Sequence, residues 1–252
     1  MPPKNIGPWM RLAVIVLKPT LTALTKRQWR GMENIPRTGG IIVCPNHISY
    51  ADPLTFAHFL YDAGRAPRFL AKSALFDIPL LGRLLRGAGQ IPVFRATKNA
   101  SLAFGAAVKA VERGECVCIY PDGTVTRDPQ LWPMVGKTGA ARVALATGAP
   151  VIPVAQWGPQ QILPPYQKVP HLLARHRIHV IAGPPVDLSE YEDLELTATV
   201  LRAATEKIMT AITMLLAELR DERPPLERFD PRASDLPRIG NPYQVMDERS
   251  SA

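Results

Sequence analysis

Short apolar runs rich in β-branched residues alternate along this chain with longer stretches of helical periodicity. Runs at 40–44, 68–71, 91–94, 116–120, 151–155 and 178–181 read as strands. Residues 7–26, 53–63, 80–88, 98–112, 138–147 and 189–221 read as helices, the last as one or two. The punctuation agrees: Pro53 opens a helix that Gly64 closes, Thr97 caps one that Gly114 ends, and Gly148 follows another. Pro153, inside a strand run, suggests an edge or a bulge. This alternation predicts an α/β fold: a single domain with a central, largely parallel or mixed sheet flanked by helices. Residues 121–136 read as a loop. From Arg223 proline and charge take over, so the expected organisation is 1–27, a separate helix; 28–222, the folded domain; and 223–252, an extended or partly disordered tail.

Composition narrows this. The 252 residues are 46% hydrophobic and 21% charged, which excludes a disordered chain. The three cysteines, Cys44, Cys116 and Cys118, fall in the apolar runs and match no zinc spacing, so they read as reduced core thiols. The net charge of +8 is concentrated: residues 1–37 carry Lys4, Arg11, Lys18, Lys26, Arg27, Arg30 and Arg37 against Glu33 alone. The same stretch holds Trp9, Leu12, Val14, Ile15, Leu17 and Leu21. A basic amphipathic helix of this kind suits a lipid interface, where each cation near an anionic leaflet contributes about 1 kcal/mol. The bland alternative is a helix packed on its own domain. The longest apolar run, residues 12–17, is far short of the roughly twenty residues a bilayer needs. Lys18 and Pro19 interrupt it, and no small-residue cleavage site follows, which argues against a signal peptide. The rest of the chain is nearly neutral, so nucleic acid is not an expected partner.

The chemistry concentrates in Asn46-His47-Ile48-Ser49-Tyr50-Ala51-Asp52, between a buried strand and a helix start. A tight turn there brings a carboxylate back onto an imidazole. Asp52 on one ring nitrogen would fix the tautomer of His47, leaving the other nitrogen to take a proton from a hydroxyl. Two plainer readings compete: Asp52 as an ordinary N-cap before Pro53, and His47 as a satisfied loop histidine. Ser49 in such a turn hydrogen-bonds backbone. No Gly-x-Ser-x-Gly elbow is present, and no third metal ligand stands at a sensible spacing from His47 and Asp52. Lys72, Arg95, Arg127 and Lys137 occupy loop positions suited to a phosphate or another anion. Gly136-Lys137-Thr138 looks like the end of a P-loop, but Leu131 stands where its first glycine belongs, so Thr138 reads as a helix cap. Asp122-Gly123 by itself is a turn dipeptide.

Taken in order, these blocks resemble the glycerolipid acyltransferases, typified by bacterial 1-acylglycerol-3-phosphate acyltransferases. Residues 46–52 match that family's Asn-His-x-Ser-x-x-Asp fully. Gly89-Gln90-Ile91-Pro92-Val93-Phe94-Arg95 looks like its second block, with Lys72 where the family has an upstream lysine. Pro121-Asp122-Gly123-Thr124-Val125-Thr126 resembles its Pro-Glu-Gly-Thr-Arg-Ser, and Val151-Ile152-Pro153-Val154 its apolar fourth block. Lys137-Thr138-Gly139-Ala140 matches the helix start between them. Two positions depart: Asp122 replaces glutamate and Val125 replaces arginine, with Arg127 the nearest guanidinium. The resemblance implies a glycerol-3-phosphate acyltransferase-like fold. It also implies transfer of a fatty acyl group from acyl-CoA or acyl carrier protein to the free hydroxyl of a lysophosphatidate. His47 would be the base and Asp52 its partner, with no acyl-enzyme, no metal and no cofactor. Lys72, Arg95, Arg127 and Lys137 would then be candidates for the acceptor phosphate. Asn46, Ser49, Asp122, Gly123 and Thr124 would shape the site, and Leu75, Phe76, Ile78 and Leu80 would line an acyl groove or belong to the core. The expected location is the cytoplasmic face of the cell membrane, as a peripheral or monotopic protein among membrane lipids. Another acceptor (glycerol 3-phosphate, a lysophospholipid or a glycolipid) and a non-catalytic lipid-binding protein are the alternatives. The sequence leaves the oligomeric state open.

Overall fold

The apolar run Ile41–Pro45 is buried along its whole length, as a strand covered on both faces must be. The computed structural model describes residues 3, 6–94, 100–234 and 241–242. Its strands are β1 (Thr25–Arg30), β2 (Ile41–Pro45), β3 (Pro67–Lys72), β4 (Ile91–Val93), β5 (Cys116–Cys118), β6 (Val151–Trp157) and β7 (His176–Ala182). They form one seven-stranded sheet in the order β1-β7-β6-β2-β5-β3-β4. The five from β6 to β4 are parallel, β7 is antiparallel to β6, and β1 runs parallel to β7. The carboxyl ends of the five parallel strands therefore share one edge.

Side chains alternate between faces with period two. Ile42, Cys44, Val117 and Val151 pack beneath α4 (Ala100–Glu112), α5 (Gly139–Thr147) and α7 (Ala198–Arg220). Ile41, Val43, Cys118 and Ile152 pack against Phe56, Phe59 and Leu60 of α2 (Asp52–Asp62). The remaining helices are α1 (Pro8–Leu24), α3 (Pro79–Gly87) and the single-turn α6 (Pro159–Ile162). Cys44, Cys116 and Cys118 are free and buried, and burial pushes the thiols of Cys44 and Cys118 far up.

Two sequence expectations need correction. The first helix stops at Leu24, and residues 25–30 form a strand. Its polar Thr-Lys-Arg-Gln-Trp-Arg composition hid it, because an edge strand exposes most of its residues and charge there blunts pairing with other chains. Pro153 lies in β6, an interior strand, with no edge beside it. It is accommodated because the β7 ladder ends at Val154, so its missing N–H falls just outside the pairing, while its carbonyl accepts from Gly183 N at 2.9 Å. Residues 189–221 hold two helical segments, within the one or two expected: a short 3₁₀ turn at Ser189–Tyr191 precedes α7, which Thr197 caps through a bond from Val200 N.

Helix α1 packs on its own domain along one face. Trp9 lies against Gly87 of α3, where a Cβ would stand 2.1 Å from its ring. Lys18 Nζ reaches Asp62 Oδ1 at 2.7 Å, and Trp29 Nε1 donates to the other oxygen of that carboxylate at 3.0 Å. The opposite face leaves Leu12, Ile15 and Val16 exposed. Among the described residues no helix is long and apolar enough to cross a membrane. Residues 223–234 of the tail carry no helix or strand but lie against the domain: Val135 N donates to Phe229 O, and Arg228 pairs with Glu206 on α7.

Phe59 is fully buried, with Phe56 and Trp29 around its ring at centroid distances of 6.1 Å (Phe56 to Phe59) and 5.6 Å (Trp29 to Phe59). Phe59→Ala lowers the free energy of unfolding in urea by about 3–5 kcal/mol. A loss below about 1 kcal/mol would show that α2 is not anchored through this ring.

Candidate active site

The chain leaves β2 at the carboxyl edge and turns sharply into α2. At the turn, His47 Nδ1 lies 2.8 Å from Asp52 Oδ2. The same oxygen accepts the backbone N–H of Ile48 at 2.6 Å and of Ser49 at 2.9 Å. Asp52 is the first residue of α2, not its cap; Ala51 holds that position. The carboxylate thus faces backward, onto the turn, which is the arrangement the imidazole-orienting reading requires and the plain N-cap reading does not. Burial pushes the Asp52 pKa up, against the pull of His47 and the two N–H groups. His47 keeps 14% of its side-chain surface open and stacks on the Tyr120 ring at 4.2 Å. With Nδ1 committed to Asp52, Nε2 is the nitrogen available for proton transfer.

The turn is braced from three sides. Asn46 Nδ2 donates to Gln156 O, its Oδ1 accepts from Gln156 N, and Gln156 Nε2 donates to Asn46 O, extending the β2–β6 pairing through side chains. Ser49 Oγ donates to Leu163 O at 2.6 Å and accepts from Ala51 N at 2.9 Å, as backbone-directed serine should. From the 121–136 loop, Thr126 N donates to His47 O at 2.7 Å.

That loop brings a second carboxyl near the imidazole. Asp122 is buried, accepts from Met134 N at 2.7 Å and lies within the electrostatic reach of His47. Burial pushes its pKa up to about 7. Gly123 has φ +72°, and a Cβ there would come within 2.7 Å of the Lys137 side chain, so Lys137 lies directly over the turn. Thr124 is partly exposed beside it. Arg127 is buried and Val125 completely so. Lys72 is exposed at the end of β3, two strands from β2 and so about 10 Å along the same edge. Arg95 and Thr97 lie outside the described residues. Thr138 takes the N-cap position of α5 but makes no capping bond with its side chain, contrary to expectation. Phe76 is core, whereas Leu75, Ile78 and Leu80 are exposed. Among the described residues no group of three or more His, Cys, Asp or Glu is placed to hold a metal.

Sequence reasoning missed Tyr120 and Gln156. Both carried a signal: Tyr120 ends a buried strand run immediately before the third block, and Gln156 is a lone polar residue in an otherwise apolar run.

A family model described as acyltransferase matches residues 26–157, just over half of the chain. The chain belongs to the acyltransferase family. Its 1-acyl-sn-glycerol-3-phosphate acyltransferase relative in Borreliella burgdorferi is 30% identical over 186 residues, covering 71% of this chain and 70% of that one. A chloroplastic 1-acyl-sn-glycerol-3-phosphate acyltransferase of Brassica napus is 30% identical over 141 residues, and there the match spans 55% of this chain but only 39% of the plant protein. The crystal structure of the 1-acyl-sn-glycerophosphate acyltransferase of Thermotoga maritima shares this fold, with a TM-score of 0.66 at 23% identity over 86% of this chain and 81% of that one.

In this acyltransferase Asp122 binds its proton more tightly folded than unfolded, because its pKa rises from an ordinary 3.8 to about 7. Its contribution to stability therefore falls as pH rises through about 4 to 7 and levels off above. Asp122→Asn keeps an acceptor for Met134 N–H and removes the ionisation. Urea unfolding of both proteins from about pH 4 to about pH 8 should show the variant gaining stability relative to the parent. A difference that does not change with pH would refute the raised pKa.

Proposed function

We propose that this acyltransferase moves a fatty acyl group from acyl-CoA or acyl carrier protein to the free hydroxyl of 1-acylglycerol 3-phosphate, giving phosphatidic acid. The observation that carries the reading is the 2.8 Å contact of His47 Nδ1 with a buried carboxylate, on a ring still open at the sheet edge. His47 Nε2 takes the proton of the acceptor hydroxyl as that oxygen attacks the thioester carbonyl. The tetrahedral intermediate collapses, the carbon–sulfur bond breaks, and the imidazolium returns its proton to the leaving thiolate. Asp52 holds the ring and stabilises its charged form throughout. The thioester is already activated, so the proposal requires no metal, cofactor or acyl-enzyme. Lys137 above Gly123, with Arg127 and Lys72, supplies the cationic side of the site for the acceptor phosphate. The names of the relatives support this acceptor. A second reading, another acceptor head group, draws on Val125, which is buried where the family motif has arginine.

The substrate and product are membrane lipids, and the proposed location is the cytoplasmic face of the membrane, held peripherally. Support comes from α1, whose exposed Leu12, Ile15 and Val16 share a helix with Arg11 and Lys18.

Thiol release from palmitoyl-CoA, with and without lysophosphatidate, tests the chemistry. Release should depend on the acceptor and fall by about 10²–10⁴-fold in a folded His47→Ala variant. Full activity in that variant would remove the proposed base, and release without acceptor would indicate a thioesterase. Deletion of residues 1–24, which leaves β1 whole, should lower co-sedimentation with anionic liposomes; unchanged binding would exclude α1 as the lipid contact.

A further inference from the structure

The segment between α6 and β7 joins the catalytic turn to α1. At its start, Leu163 O accepts from Ser49 Oγ, and the Tyr166 hydroxyl donates to Val125 O at 2.6 Å while its ring meets Tyr50 edge-on. At its end, Arg175 Nη2 donates to Thr22 O and Thr25 O, both at 3.3 Å. Both ends are thus fixed, and the middle faces solvent. Val169 is 71% exposed, Leu172 49%, and Leu173 fully so. Three branched apolar side chains in five residues, left in water, form a patch that needs a partner.

Charge identifies that partner. No Asp or Glu occurs between Asp128 and Asp187, while Lys168, Arg175 and Arg177 flank the apolar tip. An acid-free, cation-rimmed apolar tip complements an anionic lipid surface. A second copy of the chain fits less well, since each copy carries +8.

Topology places the loop where lipid must approach. Because β1 and β7 oppose the five parallel strands, their paired first residues, Thr25 and His176, lie at the edge that carries His47. The end of α1 and the end of the loop meet there. A groove of about 720 Å³ lies between them, lined by Val14, Lys18, Pro19, Thr22, Ala23 and Arg175.

We infer that residues 163–175 form a second lipid contact, inserting Val169, Leu172 and Leu173 into an anionic membrane surface beside α1. The inference rests on the reading that the substrate is a membrane lipid. Through Leu163 and Tyr166 the inserted loop sets the mouth of the candidate active site against the bilayer.

The test uses the full chain and phosphatidylcholine vesicles with and without phosphatidylglycerol. Leu172→Ser combined with Leu173→Ser should weaken partitioning onto the anionic vesicles by about tenfold or more, with an unchanged thermal midpoint. Independently, the fluorescence of a Leu173→Trp variant should shift to the blue on vesicle addition relative to the parent. Unchanged partitioning together with no shift overturns the inference. So does loss of binding on deleting residues 1–24 but not in the serine variant, which leaves α1 as the contact. A parent that never binds vesicles instead sinks the membrane reading itself. A parent dimer that the serine variant dissociates assigns the patch to self-association and also overturns the inference.

Discussion

A carboxylate removed from water must be surrounded by donors or it will not stay charged. Asp52 answers that demand in part, through one oxygen on which His47 Nδ1 and the N–H groups of Ile48 and Ser49 converge, while burial still pushes its pKa up. These contacts close the turn between β2 and α2, so the orientation of the imidazole and the path of the backbone are set by one group. The arrangement holds only if α2 stays seated, and Phe56 and Phe59 seat it in the core on that face of the sheet. Asn46 with Gln156, Ser49 with Leu163, and His47 O with Thr126 N then fix the turn to three separate segments. Core packing, turn geometry and the proposed base are one mechanical unit.

The second carboxyl stands on a separate loop. Asp122 accepts from Met134 N at 2.7 Å and is drawn the same way by the backbone N–H of His47, yet burial still raises its pKa to about 7. Its support comes from far along the chain: Arg220 of α7 lies between the rings of Trp132 and Trp157, at 4.1 and 4.5 Å, and also holds Gln130 O. The last turn of α7 thereby steadies the loop that carries the third sequence block. Two buried carboxyls thus lie near one histidine, and burial raises the pKa of both.

Much of the fold was legible because its strands are buried on both faces and its helices are marked by proline and glycine. What escaped did so for physical reasons. The edge strand β1 is mostly polar, so periodicity could not reveal it. Pro153 signalled an edge because local sequence cannot show that the β7 ladder stops one residue away. At the site, the spacing of His47 and Asp52 was readable, since both belong to one turn. The partners of Asn46 and Asp122 were not, because Gln156 and Met134 reach them through tertiary packing. Cations are the least legible: Lys137 lies over Gly123, Arg127 is buried and Lys72 is exposed, and nothing in their local sequence distinguishes those fates.

All three cysteines of the chain lie buried on the neighbouring strands β2 and β5, Cys44 on one face of the sheet and Cys116 and Cys118 on the other. Burial holds the thiols of Cys44 and Cys118 protonated at any working pH, and a protonated, inaccessible sulfur is a poor nucleophile. A chromogenic disulfide reagent therefore meets no reactive sulfur on the native protein. Colour that develops before substrate is added reports unfolded chains, which makes the protein its own indicator of integrity.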